Sequence, residues 1–288
     1  MATSQHTARD SALIVEGGAM RSIFSAGLLD GFLERQFNPF DFYIGVSAGA
    51  SNLLTYITEA PKKSRYIYQS LALRKEFISY SRFFRGGHLL DMEWLVRMAF
   101  AEIDREVKAA YGQAKPLYVC VTDVATGKAV YINPSVDALA NVIKASAALP
   151  LLYREFPCID GRPMTDGGVA QGIPVAEAIR MGAKRIMVIR SRHKHYMKKD
   201  TPGYKYIRWK MKSYPALQAT MRQRINIHRE SIALIRHPPP GVKIVEVCPA
   251  ENYTISRFNR SRESLQLTYQ LGLESANDAI RRWLSLEA

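Results

Sequence analysis

The sequence predicts a three-layer α/β/α fold on a mainly parallel central sheet, and three observations predict it. Short apolar runs of strand length alternate with helix-length patterns through most of the 288 residues, which is the signature of βαβ units. Two glycine-rich turns each follow such a run directly. They therefore stand at the carboxyl ends of strands, where open α/β sheets bind ligands. The 47% apolar content can bury a large core, so one large α/β domain with an appendage is expected.

The elements follow in order. Leu13–Val15 reads as a buried strand, and Ile23, Phe24, Leu28, Phe32 and Leu33 form one face of the helix after Met20. Phe42–Val46 is the second β-prone run, and Ala50–Ile57 after it is small and helix-compatible. Another helical pattern follows Pro61. An insert from Arg65 to Tyr111 carries Phe77, Tyr80, Phe83, Phe84, Trp94, Met98 and Phe100. Its helices, Asp91–Ala110 among them, either pack on the core, which is the commoner outcome, or cap a site. Arg85-Gly86-Gly87-His88 reads as a flexible joint between two of them. Leu117–Thr122, Lys128–Ile132, Glu155–Ile159, Arg185–Ile189 and Val242–Val247 complete the strands. Several are continuous apolar runs, as in a sheet covered on both faces. The remaining helices are Ser135–Ala148, Pro174–Met181, Ser213–Ile235 and Arg260–Leu284, with Pro238-Pro239-Pro240 parting a helix from the last strand.

Three phrases carry chemistry. Between the second strand and its helix stands Gly45-Val46-Ser47-Ala48-Gly49, a G-x-S-x-G pattern. A serine on such a bend needs small neighbours, and Gly45 and Gly49 remove side chains that would clash across it. The pattern implies acyl transfer, which needs a base and donors for an oxyanion. Upstream, Gly17-Gly18-Ala19-Met20-Arg21-Ser22 turns backbone N–H groups outward at a helix start, a site for negative charge. It suits an oxyanion or a phosphate. The dinucleotide fingerprint is disfavoured, because Ala19 and Ser22 stand where that motif has glycine. Downstream, Asp166-Gly167-Gly168 looks like a carboxylate on an exposed turn. Alone it is ordinary turn chemistry; joined to Ser47 it offers a base. A Ser–Asp–His order is allowed by His193 and His195. Both lie in the basic run Arg190–His195, however, and Ser47 comes too early for an α/β-hydrolase elbow, so that triad is the weaker reading.

Together and in this order, the three phrases resemble the patatin-like phospholipase family in its bacterial branch, over roughly Ser11 to Arg190. That resemblance implies a Ser–Asp dyad without histidine, a lipid ester substrate and no cofactor. It makes Ser47 the nucleophile and Asp166 the proton acceptor. It makes Gly17, Gly18 and Ala19 the oxyanion turn, and Arg21 its basic residue. Arg21 would add positive potential or bind a substrate phosphate; the plainer alternative is a helix-surface arginine. Ala19 and Ser22 depart from the usual glycines, and Ala19 is a small change if its φ is negative. The expected activity is phospholipase, lysophospholipase or lipid esterase. A carboxylesterase or thioesterase, or a lipid-binding protein with a vestigial site, are the alternatives. The insert helices could then form an acyl-chain groove. In the family, a stretch such as Lys144–Pro150 packs close to the nucleophile helix; it carries no expected catalytic role.

Charge divides the chain into an expected acyl hydrolase domain over 11–190 and a basic C-terminal region over 191–288. Residues 190–262 hold 17 Lys and Arg against 4 Asp and Glu, nearly all of the net +14. Tyr196, Tyr204, Tyr206, Trp209 and Tyr214 are interleaved with them. Apart from a plain solvated face, this suits peripheral docking on an anionic membrane better than nucleic acid. No apolar run approaches 18 residues, so none is expected to span a bilayer. Met1–Asp10 lacks an apolar signal region. Cys120, Cys158 and Cys248 read as buried thiols, and the location expected is cytoplasmic. Ligand spacings give no metal site.

Overall fold

The computed structural model describes residues 10–252 and 255–286; apart from Asp10, the stretch read for a signal segment lies outside them. In chain order the elements are β1 (Ser11–Val15), α1 (Ile23–Glu34), β2 (Phe42–Val46), α2 (Ala48–Ile57), α3 (Lys63–Gln69), α4 (Tyr80–Phe84) and α5 (Met92–Ala110). There follow β3 (Leu117–Asp123), β4 (Ala129–Ile132), α6 (Val136–Ala147), β5 (Cys158–Ile159), β6 (Arg162–Asp166), α7 (Val175–Arg180) and β7 (Arg185–Ile189). The chain continues through α8 (Pro202–Lys210), α9 (Pro215–Arg236), β8 (Lys243–Val247), α10 (Arg262–Glu274) and α11 (Ala276–Leu284).

The strands form one sheet in the order β5-β6-β3-β2-β1-β7-β8, with β4 also paired to β3. β3, β2, β1, β7 and β8 run parallel, and β4, β5 and β6 add antiparallel pairs at one side. The alternation of side chains along each strand makes the layers. Leu13, Val15, Tyr43, Val119 and Met187 face the core shared with α1, α2, α5, α6, α10 and α11. Ala12, Ile14, Phe42, Ile44 and Val188 face a smaller core beneath α7 and α9. With both faces covered, the central strands have no solvated side, which explains their unbroken apolar runs.

The 191–288 region joins this architecture directly. β8 pairs with β7, from Arg185–Lys243 to Ile189–Val247. α10 lies against α1 so closely that a Cβ on Gly27 would overlap the Tyr269 carbonyl, and one on Gly272 the Phe24 carbonyl.

Three local expectations change. The Glu155–Ile159 run forms a strand only at Cys158–Ile159, and the neighbouring strand is Arg162–Asp166. The latter escapes detection because only Met164, Thr165 and Asp166 are buried, while Arg162 and Pro163 face solvent. Cys158 is exposed and Cys248 partly so; only Cys120 is a buried thiol. The Arg85–His88 joint does separate α4 from α5, but Arg82 straps it by donating to the carbonyls of Glu76, Phe77 and His88 at 2.9 Å each. Among the described residues no helix is long and apolar enough to cross a membrane.

Candidate active site

Ser47 sits between β2 and α2 with φ +53° and ψ −128°. A non-glycine residue held at positive φ costs about 1–3 kcal/mol, so the surroundings must enforce it. Its N–H donates to Ser146 Oγ at 2.8 Å, and that hydroxyl donates to the Cys120 carbonyl at 2.6 Å. Its carbonyl accepts from Ala50 N at 2.9 Å, which starts α2. The glycines provide clearance. A Cβ on Gly45 would overlap Ala50, one on Gly49 the Val15 carbonyl, and one on Gly17 would lie 2.8 Å from Ser47 Cβ. Ser146 comes from the small-residue end of α6, where the sequence indicated close packing but no polar role.

Sheet register brings Asp166 to the serine. Val46 pairs with Cys120, and Val121 pairs with Asp166. The residue after Val46 therefore stands level with Asp166, across β3. Asp166 is only 4% exposed, so the expected exposed turn is a buried one. Its N–H donates to the Ala148 carbonyl at 3.1 Å, its carbonyl accepts from Thr122 Oγ1 at 2.8 Å, and its Oδ1 accepts from Gly168 N at 2.7 Å. Gly167 is required because a Cβ there would overlap the Cys120 carbonyl. Ser47 and Asp166 line the same cavity, and the Ser47 side chain is among the groups that favour the charged carboxylate. Burial raises the Asp166 pKa above its ordinary value, and Ser47, the Gly168 N–H, Arg257 and Lys198 only partly offset that rise.

The Gly17-Gly18-Ala19 turn passes beside Ser47. Among the described residues no backbone partner engages the N–H groups of Gly18 or Ala19. Ala19 has φ +50°, so the condition of negative φ is not met. A side chain in this region costs about 1–2 kcal/mol, which glycine would avoid, but the backbone donor is unaffected. Arg21 is 6% exposed, not a helix-surface residue. Burial first, then the charges of Arg257 and Arg192, lower its pKa to about 9, with Glu16 opposing.

Two cavities meet at Ser47 and share Ala19 and Leu149 with it. One is an apolar groove lined by Met20, Ile67, Tyr68, Phe77, Leu95 and Leu149. Phe77 thus borders it, whereas Trp94 and Phe100 pack on the core and Tyr80 and Phe84 are exposed. The other cavity is polar and contains Asp166, Arg21 and Glu16 together with Arg192, Tyr196, Lys198, Tyr204, Arg224 and Arg257. These last six belong to the basic segment expected to form a surface patch. Only its charge excess signalled them; nothing local in the sequence said that these side chains line a cavity. No histidine lines either cavity at Ser47 among the described residues, and no cluster there could hold a metal ion.

Fold and site together define a three-layer α/β protein with a strained serine elbow facing a buried aspartate. The sequence model of the patatin-like phospholipase family matches residues 13–179, and the chain belongs to that family of lipid acyl hydrolases. A second model, for a domain of unknown function (DUF6363), matches residues 214–287. A curated relative, the uncharacterized protein YjjU of Escherichia coli K12, is 34% identical over 269 residues, covering 91% of this chain and 74% of its own. Among solved structures, VipD from Legionella pneumophila aligns with a TM-score of 0.42 at 13% identity, over 96% of this chain and 67% of its own.

Ser146→Ala tests the pin on the elbow. It leaves the buried Ser47 N–H without its acceptor, so denaturant unfolding should show a loss of about 1–3 kcal/mol.

Proposed function

We propose that the protein is a serine hydrolase of lipid carboxylic esters, acting in lipid breakdown. The observation that carries this is that Ser47 and Asp166 line one cavity while Ser47 also borders an apolar groove. An acyl chain lies in the groove, with its ester carbonyl at Ser47. Ser47 Oγ attacks the carbonyl carbon while Asp166 takes the hydroxyl proton. The N–H groups of Gly17, Gly18 and Ala19 receive the oxyanion, and one such donor is worth about 10²–10³ in rate. Collapse expels the alcohol, which regains the proton from Asp166. Water activated by the same carboxylate then releases the fatty acid. An ordinary aspartate, with a pKa of about 3.9, is a weak base for an alcohol. The upward shift produced by burial makes Asp166 a better one.

We also propose interfacial docking through α8. Tyr206 and Trp209 are 51% and 54% exposed, and the Lys210 and Lys212 ammoniums lie 5.0 and 5.8 Å from the Trp209 ring centroid. Rings at headgroup level flanked by cations suit an anionic bilayer.

Hydrolysis of p-nitrophenyl esters from short to long acyl chains tests the dyad. Ser47→Ala and Asp166→Asn should each abolish it, with an optimum at long chains. A fluorophosphonate should label Ser47; retained activity in either variant, or an adduct elsewhere, overturns the assignment. The pH profile tests the base. Asp166 must be ionised, so the acid limb should lie above the ordinary carboxylate range. Arg257→Gln removes a charge that favours the ionised form and should move that limb to higher pH. For docking, liposome flotation should show binding that needs anionic lipid, weakens with salt and is lost in a Tyr206→Ala, Trp209→Ala double variant. Binding indifferent to salt would count against it.

A further inference from the structure

The polar cavity at Ser47 holds five cations. Arg21 follows β1, Arg192 and Lys198 lie on the segment between β7 and α8, Arg224 is on α9, and Arg257 precedes α10. Among the described residues two carboxylates line the same space, Glu16 and Asp166. Glu16 is already engaged, accepting from Ser191 N at 2.8 Å and lying 3.8 Å from Arg190 Nε. Among the described residues Arg21, Arg192, Lys198 and Arg257 form no ion pair, and the buried Nε groups of Arg21 and Arg192 have no hydrogen-bond partner. The cations also repel one another. Lys198 is lowered to about 8 by burial and then by Arg224 and Arg257, against the opposing pull of Glu16. Like charges in excess of the carboxylates beside them, with donors unspent, make a receptor for an anion.

The cluster is braced. The Arg192 guanidinium lies 4.5 Å from the Tyr196 ring centroid, and that of Arg224 lies 3.6 Å from the Tyr204 centroid. Arg224 Nη1 also donates to the Lys199 carbonyl at 3.0 Å. Gly172 leaves room for the lysine, since a Cβ there would come within 3.2 Å of Lys198 Nζ. An arginine thus occupies one face of each tyrosine, which leaves less aromatic surface for a choline ammonium. The surrounding charges would repel that group as well.

Resting on the acyl-hydrolase reading, we propose that this cavity is a headgroup subsite for phosphomonoester amphiphiles of the lysophosphatidate type. The acyl tail lies in the apolar groove and the ester at Ser47. The terminal phosphate, doubly charged with three open oxygens, sits among Arg21, Arg192, Lys198 and Arg257. A zwitterionic phosphocholine head offers less negative charge and brings a cation with it. The basic segment therefore selects the substrate from inside the site, apart from the docking surface on α8.

The test is equilibrium binding of ether-linked lipids, which have no carboxylic ester to cleave. Titration calorimetry on the full chain compares 1-O-alkyl-glycerol 3-phosphate with its choline ester, and with inorganic phosphate alone. The phosphomonoester should bind at least about tenfold tighter than the choline lipid, and Arg192→Gln or Lys198→Gln should each remove about tenfold of that preference. Lys198→Arg should keep most of it. Equal affinity of the wild type for the two ethers overturns the proposal, and this comparison needs no variant to fold. Variants that are folded by circular dichroism yet bind like the wild type overturn it too. Inorganic phosphate binding as tightly as the lipid would make this a free-anion site and overturn the headgroup role. Retained hydrolysis in Ser47→Ala would sink the acyl-hydrolase reading separately, since ether binding does not depend on the serine.

Discussion

The positive φ of Ser47 is the constraint on which the site rests. No single neighbour holds it. The Ser146 hydroxyl takes the N–H, the first turn of α2 takes the carbonyl, and glycines at 17, 45 and 49 admit backbone where any side chain would collide. Ser146 is in turn aimed by the Cys120 carbonyl on β3. The same strand sets the level of Asp166 through its pairing with β6. Elbow, α6 terminus and aspartate are therefore parts of one device referenced to β3. A shift in any of them would spoil the distance between hydroxyl and carboxylate.

The second organising interaction is electrostatic. Arg190 is fully buried, 2.8 Å from Glu246 on β8 and 3.8 Å from Glu16 after β1. Removing one member of such a buried set typically costs about 3–5 kcal/mol. The set ties the last strand to the glycine-rich turn and anchors the segment that carries Arg192 and Lys198 into the cavity. The cations of the cavity matter to Asp166 as well. Burial alone would push its carboxyl further toward the neutral form, and Arg257 and Lys198 restrain the rise. The C-terminal part of the chain thus reaches the charge of the aspartate as well as the space around the serine.

Short-range requirements could be read along the chain. An elbow demands small residues within two positions of the serine, so Gly45, Ser47 and Gly49 appear together. The turn Gly17–Ala19 and the pair Gly167–Gly168 announce themselves for similar reasons, as do strands buried on both faces. By contrast, β6 begins with exposed Arg162 and Pro163 and offers no apolar run, so its place beside β3 was hidden. The burial of Asp166 was hidden with it. The sign of φ at Ala19 depends on how the turn packs against Ser47, not on alanine itself.

By itself, then, the sequence determined the α/β class, the serine elbow, its aspartate and the excess of charge in 190–262. Each is written in residue types that sit side by side. Only the tertiary structure decided that Ser146 pins Ser47 and that an apolar groove opens beside it. It alone decided that half-buried Arg192, Lys198 and Arg224, with exposed Arg257, line the cavity at Ser47 while Tyr206 and Trp209 face solvent. A basic residue on a solvated face and one turned into a cavity have the same local sequence. What separates them is which distant parts of the chain come to lie beside them, and here the turn after β1, the segment after β7, α9 and the stretch before α10 meet at one cavity.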